Sequence, residues 1–373
     1  MKKYYSYLLL SIILFSCGGN NDHNNPATDN YNRSLLLKNV TENIIIPTHE
    51  NLKAKIILLD NAVDNFTNLK DIITLKQLRQ IWKETYIAWQ YVEMFNIGRA
   101  EEIDYIKSMN TYPCNTTQIN ININSSQYNL DDANYLSWAS QGLPALDYML
   151  YGLDNDSNKV IEYYTNTNGS LYLNYLNDLV DKMMNTTDGV YNYWNNNSNS
   201  FINSTGNSIT SSLNMLTNDF IYYYEKGLRA NKIGLPCGRW DNYQIRDNIV
   251  EAYYRKDISK ILAIESLRAC KNFFTGQAFI DGTIQTGLLQ DSYVTYLNQV
   301  TGENTLSDDI VSKFNNAEDK INDLNNNFVY QLNTNNNLMV EAYDALQEAV
   351  VLLKTDMLAH LSITVDYKDS DGD

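Results

Sequence analysis

Proline is scarce in this chain, at 5 of 373 residues. Proline breaks helix interiors, so its rarity leaves long helices unopposed. Histidine is scarcer still. The three histidines are His23, His49 and His360, and no His-Glu-x-x-His occurs, which excludes the usual zinc-hydrolase arrangement. A Gly-x-Ser-x-Gly elbow and a Walker A loop are also missing. The four cysteines form no Cys-x-x-Cys or Cys/His spacing that suggests zinc. No segment approaches the roughly 20 apolar residues of a membrane-spanning helix. Positive charge is in short supply, with 28 Lys and Arg against 44 Asp and Glu, for a net charge of −16. Such a surface repels phosphates and excludes nucleic acid as a partner.

The N-terminus carries a secretory signal. Lys2 and Lys3 form a basic start, Leu8 to Phe15 a short apolar core, and Leu14-Phe15-Ser16-Cys17 resembles the lipobox of bacterial lipoproteins. Residues 1–16 are expected to be removed and Cys17 lipidated, with 17–33 a polar, flexible tether. The lipid bilayer is then a partner through Cys17, by anchoring rather than threading. Cleavage removes two lysines and no acid, making the mature chain more negative. Cys114, Cys237 and Cys270 remain, and two of them could pair in an oxidising compartment.

Apolar residues recur at helical spacing along most of the mature chain. Leu78, Trp82, Tyr86, Trp89 and Glu93 form one stripe; Tyr343, Leu346, Val350, Leu353, Met357 and His360 form another within 339–361. Further helices are expected near 48–68, 158–187, 208–230, 242–256, 257–278 and 305–331. No window alternates as a strand does, so the fold class is all-α. Asn-rich runs over 115–129, 185–207 and 325–337 read as polar surface loops. Lys232 to Gly238 holds two glycines and Pro236 and ends a long helix. It divides the chain into halves over 34–232 and 233–365, followed by an acidic tail over 366–373. That tail ends before the glutamate that would complete a calcium loop.

Two stretches carry more than spacing. One runs Trp82-x6-Trp89-x3-Glu93-x-Phe95-x2-Gly98 and continues to Ile103-Asp104 and Tyr112-Pro113; the other is Gly142-Leu143-Pro144-Ala145-Leu146-Asp147 and on to Asp154. In this order they resemble the imelysin family, exported bacterial proteins also classed as M75 peptidases and related to proteins linked to iron uptake. The resemblance covers roughly residues 40–365. It implies two helical-bundle halves, a binding component for iron or haem uptake, and cell-envelope transport proteins as partners. The M75 label implies a metallopeptidase as the alternative, and a structural or interaction lipoprotein with a decayed metal site is a third reading.

The family's second stretch is usually Gly-x-His-x-x-Glu, a spacing that puts two ligands one turn apart on one helix face. Here Gly142 is kept, but Pro144 stands at the histidine position and Asp147 at the glutamate position. Pro144 has no donor atom in its side chain, so half of that metal site is missing. By composition Pro144 suits the first position of a helix and Asp147 the first turn, favoured there by about 0.3–1 kcal/mol from the helix dipole. Glu93, on a tryptophan stripe, faces the interior and needs a cation, a hydrogen-bond donor or a metal. Arg99 and Arg239 are the candidate cations, and Asp104 is either a site residue or a helix cap. The expected metal-ligating set is therefore Glu93, Asp104 and Asp147, lining a cleft between the halves. Iron or another divalent or trivalent cation is the ion implied, with no catalytic residue assigned. Tyr222-Tyr223-Tyr224, Tyr253-Tyr254 and Tyr163-Tyr164 either line a pocket or sit at helix seams.

Overall fold

A computed structural model describes residues 29–280, 282–285 and 291–365. The signal segment, Cys17 and the acidic tail lie outside the described residues. So does the tether up to residue 28.

The chain begins with α1 (Arg33–Val40), which passes through a wider π-helical turn at Thr41–Ile45 into α2 (Ile46–Leu69). Leu52, Ile56, Leu59, Val63 and Phe66 recur on the buried face of α2. Lys70 then turns into the left-handed region (φ 50°) and stops it. Asp71 opens α3 (Ile72–Trp89) by accepting the amides of Ile73 and Thr74 at 3.0 and 2.8 Å. This cap satisfies two donors that a helix start leaves without an intrahelical partner. The expected stripe Leu78, Trp82, Tyr86 and Trp89 is the buried face of α3.

Short helices α4 (Arg99–Glu102), α5 (Tyr105–Asn110), α6 (Thr116–Ser125) and α7 (Tyr135–Trp138) lead to α8 (Gly142–Asp147). Then follow α9 (Ser157–Thr165), the long α10 (Gly169–Asn203) and α11 (Ser212–Tyr222). The last of these continues as a π-helical stretch over Tyr223–Gly234. α12 (Ser259–Thr275), a two-residue hairpin of β1 (Phe279–Ile280) and β2 (Thr283–Ile284), α13 (Tyr293–Thr301), α14 (Thr305–Asn322) and α15 (Phe328–Thr334) follow. The final rod is α16 (Asn336–Val351), which runs through a π turn into α17 (Leu358–Leu361). α2 packs against α3 and α10 to form one bundle. The π-helical stretch, α12, α14 and α16 form the other, so the helix ahead of the Gly-Pro break packs with those after it. Helix–helix packing around a continuous apolar core is the all-α bundle expected from the spacing.

Four expectations change. The asparagines over 185–203 are helical, because Val190, Trp194 and Phe201 keep α10 buried on one side. Asn195, Asn197 and Asn203 bond back to carbonyls four residues earlier at 2.8–2.9 Å, which accommodates a weak helix former. Most of 115–129 is likewise helical, as α6. Second, 242–256 is no α-helix but a string of turns around one short 3₁₀ helix at Asp247–Ile249, with Asn242, Tyr243, Ala252 and Lys256 at positive φ. Most of its backbone donors close on nearby carbonyls, as Gln244 does on Asp241 and Lys256 on Ala252, while the amides of Tyr254 and Arg255 reach the Asp147 carboxylate. Third, His360 is exposed: the π turn over Leu352–Met357 advances the phase, and the stripe continues through Leu358 and Leu361. Fourth, the end of the expected tether is fastened. Arg33 is buried and pairs with Asp29 at 2.8 Å, Tyr296 donates to Asp29 at 2.7 Å, and Tyr31 stacks on Tyr296 with centroids 4.2 Å apart.

Candidate functional site

A cleft of about 720 Å³ opens between the segment after α3, α5, and the π-helical stretch after α11. Glu93, Asp104, Lys107, Tyr112, Tyr222 and Tyr223 are among its lining residues. Its floor is a hydrogen-bonded charge network centred on Glu93, only 6% exposed. Tyr223 donates its hydroxyl to Glu93 Oε2 at 3.0 Å. Asn110 Nδ2 donates to Glu93 Oε1 at 2.7 Å and to Glu251 Oε1 at 2.9 Å, while its own carbonyl accepts from the Tyr86 hydroxyl at 2.6 Å. Lys232 Nζ lies 2.8 Å from both oxygens of Glu251 and 3.4 Å from Glu93 Oε2. Burial alone would push the Lys232 ammonium down, but Glu251 and Glu93 together outweigh it and hold its pKa above the ordinary value.

The cation that satisfies Glu93 is therefore Lys232, not either arginine. Arg99 pairs with Glu102 at 3.2 Å and Arg239 with Asp344 at 3.4 Å, both at the surface. Lys232, Glu251 and Asn110 escaped the sequence reading. One signal was available: Glu251 interrupts the apolar run Ile249-Val250-Glu251-Ala252. A charge so flanked needs a partner, though nothing local says which.

Asp104 lines the same cleft at its rim. It adopts φ 51° ahead of α5, caps no amide with its side chain, and pairs with Lys107 at 2.6 Å. The ammonium of Lys107 also lies 4.4 Å from the centre of the Trp138 ring.

Asp147 is elsewhere and does not line the cleft. It ends α8 rather than starting it, and its carboxylate accepts the amides of Tyr254 and Arg255 at 2.8 and 2.9 Å. Those donors belong to the turn string over 242–256, so Asp147 is a staple across the chain, with no need of the helix dipole. Burial pushes its pKa up to about 7, against the opposing pull of the two amides, Arg255 and Lys256. Pro144 is the third residue of α8, not the first, and is fully buried.

Gly142 has φ +71°, and a Cβ there would lie 2.3 Å from the Met109 carbonyl oxygen and 2.5 Å from that of Ser108. Glycine is thus what lets α8 close on α5, and with it the Trp82 indole reaches the Leu143 carbonyl at 3.2 Å. Gly142→Ala should lower stability by about 2–3 kcal/mol or more, since it adds left-handed strain to a backbone clash. Urea unfolding measures this, and a variant within about 0.5 kcal/mol of the natural chain would remove the close-approach account.

The other expected candidates separate. His49 is fully buried, its Nδ1 2.7 Å from the Ile45 carbonyl and its ring near Phe95 and Trp194. Its Nε2 has no hydrogen-bond partner among the described residues. Of the three consecutive tyrosines, Tyr222 and Tyr223 line the cleft, while Tyr224 is buried and reaches the Leu346 carbonyl at 3.3 Å. Tyr254 packs on Tyr148 and Tyr253. Cys114, Cys237 and Cys270 are free thiols.

The sequence model of the imelysin family (peptidase M75) matches residues 45–353. The chain belongs to the imelysin family. Solved structures share its fold. One is described as an iron-regulated protein A precursor from Parabacteroides distasonis, 18% identical, with a TM-score of 0.69 over 87% of this chain and 94% of that one. Another is an imelysin-like protein from Psychrobacter arcticum, also 18% identical, with a TM-score of 0.70 over 91% and 99%. No curated protein matches the chain.

The metal that the family's motif implies does not fit the residues present at that motif. Pro144 offers no donor, and both oxygens of Asp147 are occupied by backbone amides. Glu93 and Asp104, the other two residues of the expected set, each lie against a lysine, Lys232 being shared between Glu93 and Glu251. Among the described residues no group of three or more His, Cys, Asp or Glu is placed to hold a metal ion. Nor, among the described residues, is any helix long and apolar enough to cross a membrane.

Proposed function

We propose that this imelysin-family chain is a lipid-anchored protein of the cell envelope that binds an iron-carrying ligand or haem in the cleft above Glu93, serving iron acquisition. The observation that carries the binding reading is the cleft itself. It combines three tyrosines with charged groups at rim and floor, and every one of its expected metal-ligating carboxylates is already engaged by protein donors. Such a lining suits an organic ligand with polar substituents better than a bare hydrolytic metal. This supports binding over the M75-type peptidase alternative. The iron connection is supported by the iron-regulated protein that shares the fold. The anchor is supported by Leu14-Phe15-Ser16-Cys17 and the polar run after it.

The test is made in the native cell. Deleting the gene should slow growth under iron limitation with haem or a ferric chelate as the iron source, and the natural chain should restore it. Normal growth of the deletion strain on every iron source would reject the acquisition role and favour a structural or interaction lipoprotein. In the same strain Cys17→Ala should leave the membrane fraction. Continued detergent-sensitive pelleting of that variant would reject the anchor.

A further inference from the structure

Glu93 and Glu251 are both buried, come from segments far apart in sequence, and share one amide donor, Asn110. Three of their oxygens, both of Glu251 at 2.8 Å and Oε2 of Glu93 at 3.4 Å, converge on one point, and carboxylate oxygens are the ligands that hard cations take. What stands at that point is an ammonium. Lys232 is 2% exposed and within 3.4 Å of both carboxylates, with the Tyr112 ring centre 6.0 Å away. It is delivered there by the π-helical stretch Tyr223–Gly234, which also supplies Tyr223 from its first turn.

We infer that Lys232 is a resident cation: its ammonium takes the place of a metal ion between Glu93 and Glu251 at the floor of the cleft. The floor is then assembled without any ion from solution, and whatever the cleft binds meets a surface set by the protein alone. This holds whichever ligand the cleft carries, so it stands apart from the iron-acquisition reading. The consequence is that the site is latent. Methionine follows the lysine side chain as far as Cε and lacks the ammonium, so it leaves two buried carboxylates facing a vacated cation position, and a hard ion should fill it.

The experiment uses the mature chain, Lys232→Met, and Lys232→Met combined with Glu93→Gln and Glu251→Gln. Terbium is the probe, because Tyr86 and Tyr223 lie in the network and can sensitise its emission. The single variant should show a lower melting midpoint than the natural chain without added ion. It should bind terbium at least about tenfold more tightly than either the natural chain or the triple variant, with the midpoint restored as terbium is added. Terbium binding by the natural chain that is lost on Glu93→Gln with Glu251→Gln would overturn the inference, since metal and lysine would then coexist. So would a folded single variant that binds no more terbium than the triple variant. Should the single variant fail to fold even with terbium while the triple variant folds, no ion replaces the lysine, and the inference again falls.

Discussion

Asp147→Ala is expected to remove about 2–4 kcal/mol of stability at pH 4, where the folded chain holds the proton on this buried carboxyl. The carboxylate accepts two backbone amides of a segment that has no α-helix of its own, and alanine would leave both N–H groups without this acceptor. Each orphaned donor costs about 1–3 kcal/mol, and at pH 4 no buried charge is removed to offset it. Asp147→Asn keeps one acceptor oxygen and should recover at least half of the loss. Chemical denaturation gives both numbers. An alanine variant as stable as the natural chain would show that the segment over 242–256 is held by something other than this staple.

Replacing His49 by leucine is expected to make the chain gain stability on acidification relative to the natural one. Burial pushes the His49 pKa down to about 4 from an unfolded value near 6.5. Between those values the unfolded chain binds the proton and the folded chain does not. Stability from this group is therefore complete above pH 6.5 and falls by about 3 kcal/mol as pH drops to 4. Asp147 acts in the opposite sense. Its folded pKa is raised to about 7 from an unfolded value of 3.8, so the folded chain holds the proton across that window. Its contribution is complete below about pH 4 and is lost, by about 4 kcal/mol, as pH rises through 7. The two slopes nearly cancel between pH 4 and 6.5. His49→Leu should thus give a chain that becomes more stable on acidification relative to the natural one. Asp147→Asn should give one that becomes less stable. Difference curves of unfolding free energy against pH read this directly, and parallel curves for natural chain and variants would sink the assignment of either group.

The helical architecture was legible because its cause is local. Scarce proline and apolar residues at helical spacing determine that α2, α3, α10 and α16 form and which faces they bury. The family was legible too, through the tryptophan stripe ending at Glu93 and the Gly142 stretch, and the matched span bears this out. Composition misled where asparagine was read as loop. Propensity is worth tenths of a kcal/mol per residue, and the burial of Val190, Trp194 and Phe201 outweighs it. π-helical turns, which shift a stripe by a fraction of a turn, left no mark in the spacing and sent His360 to the surface.

The sequence by itself determined that Glu93 would be buried and would need a partner, that the motif's ligand pair was broken at Pro144, and that Gly142 marked a break. Only the tertiary structure decided the partners. Glu93 meets Lys232 across 139 positions, Asn110 joins it to Glu251, and Asp147 reaches the amides of Tyr254 and Arg255. The reason is physical. Burial on a helix face follows from nearest-neighbour periodicity, whereas the pairing of buried charges depends on where bundle packing brings remote segments together, and no local spacing encodes that.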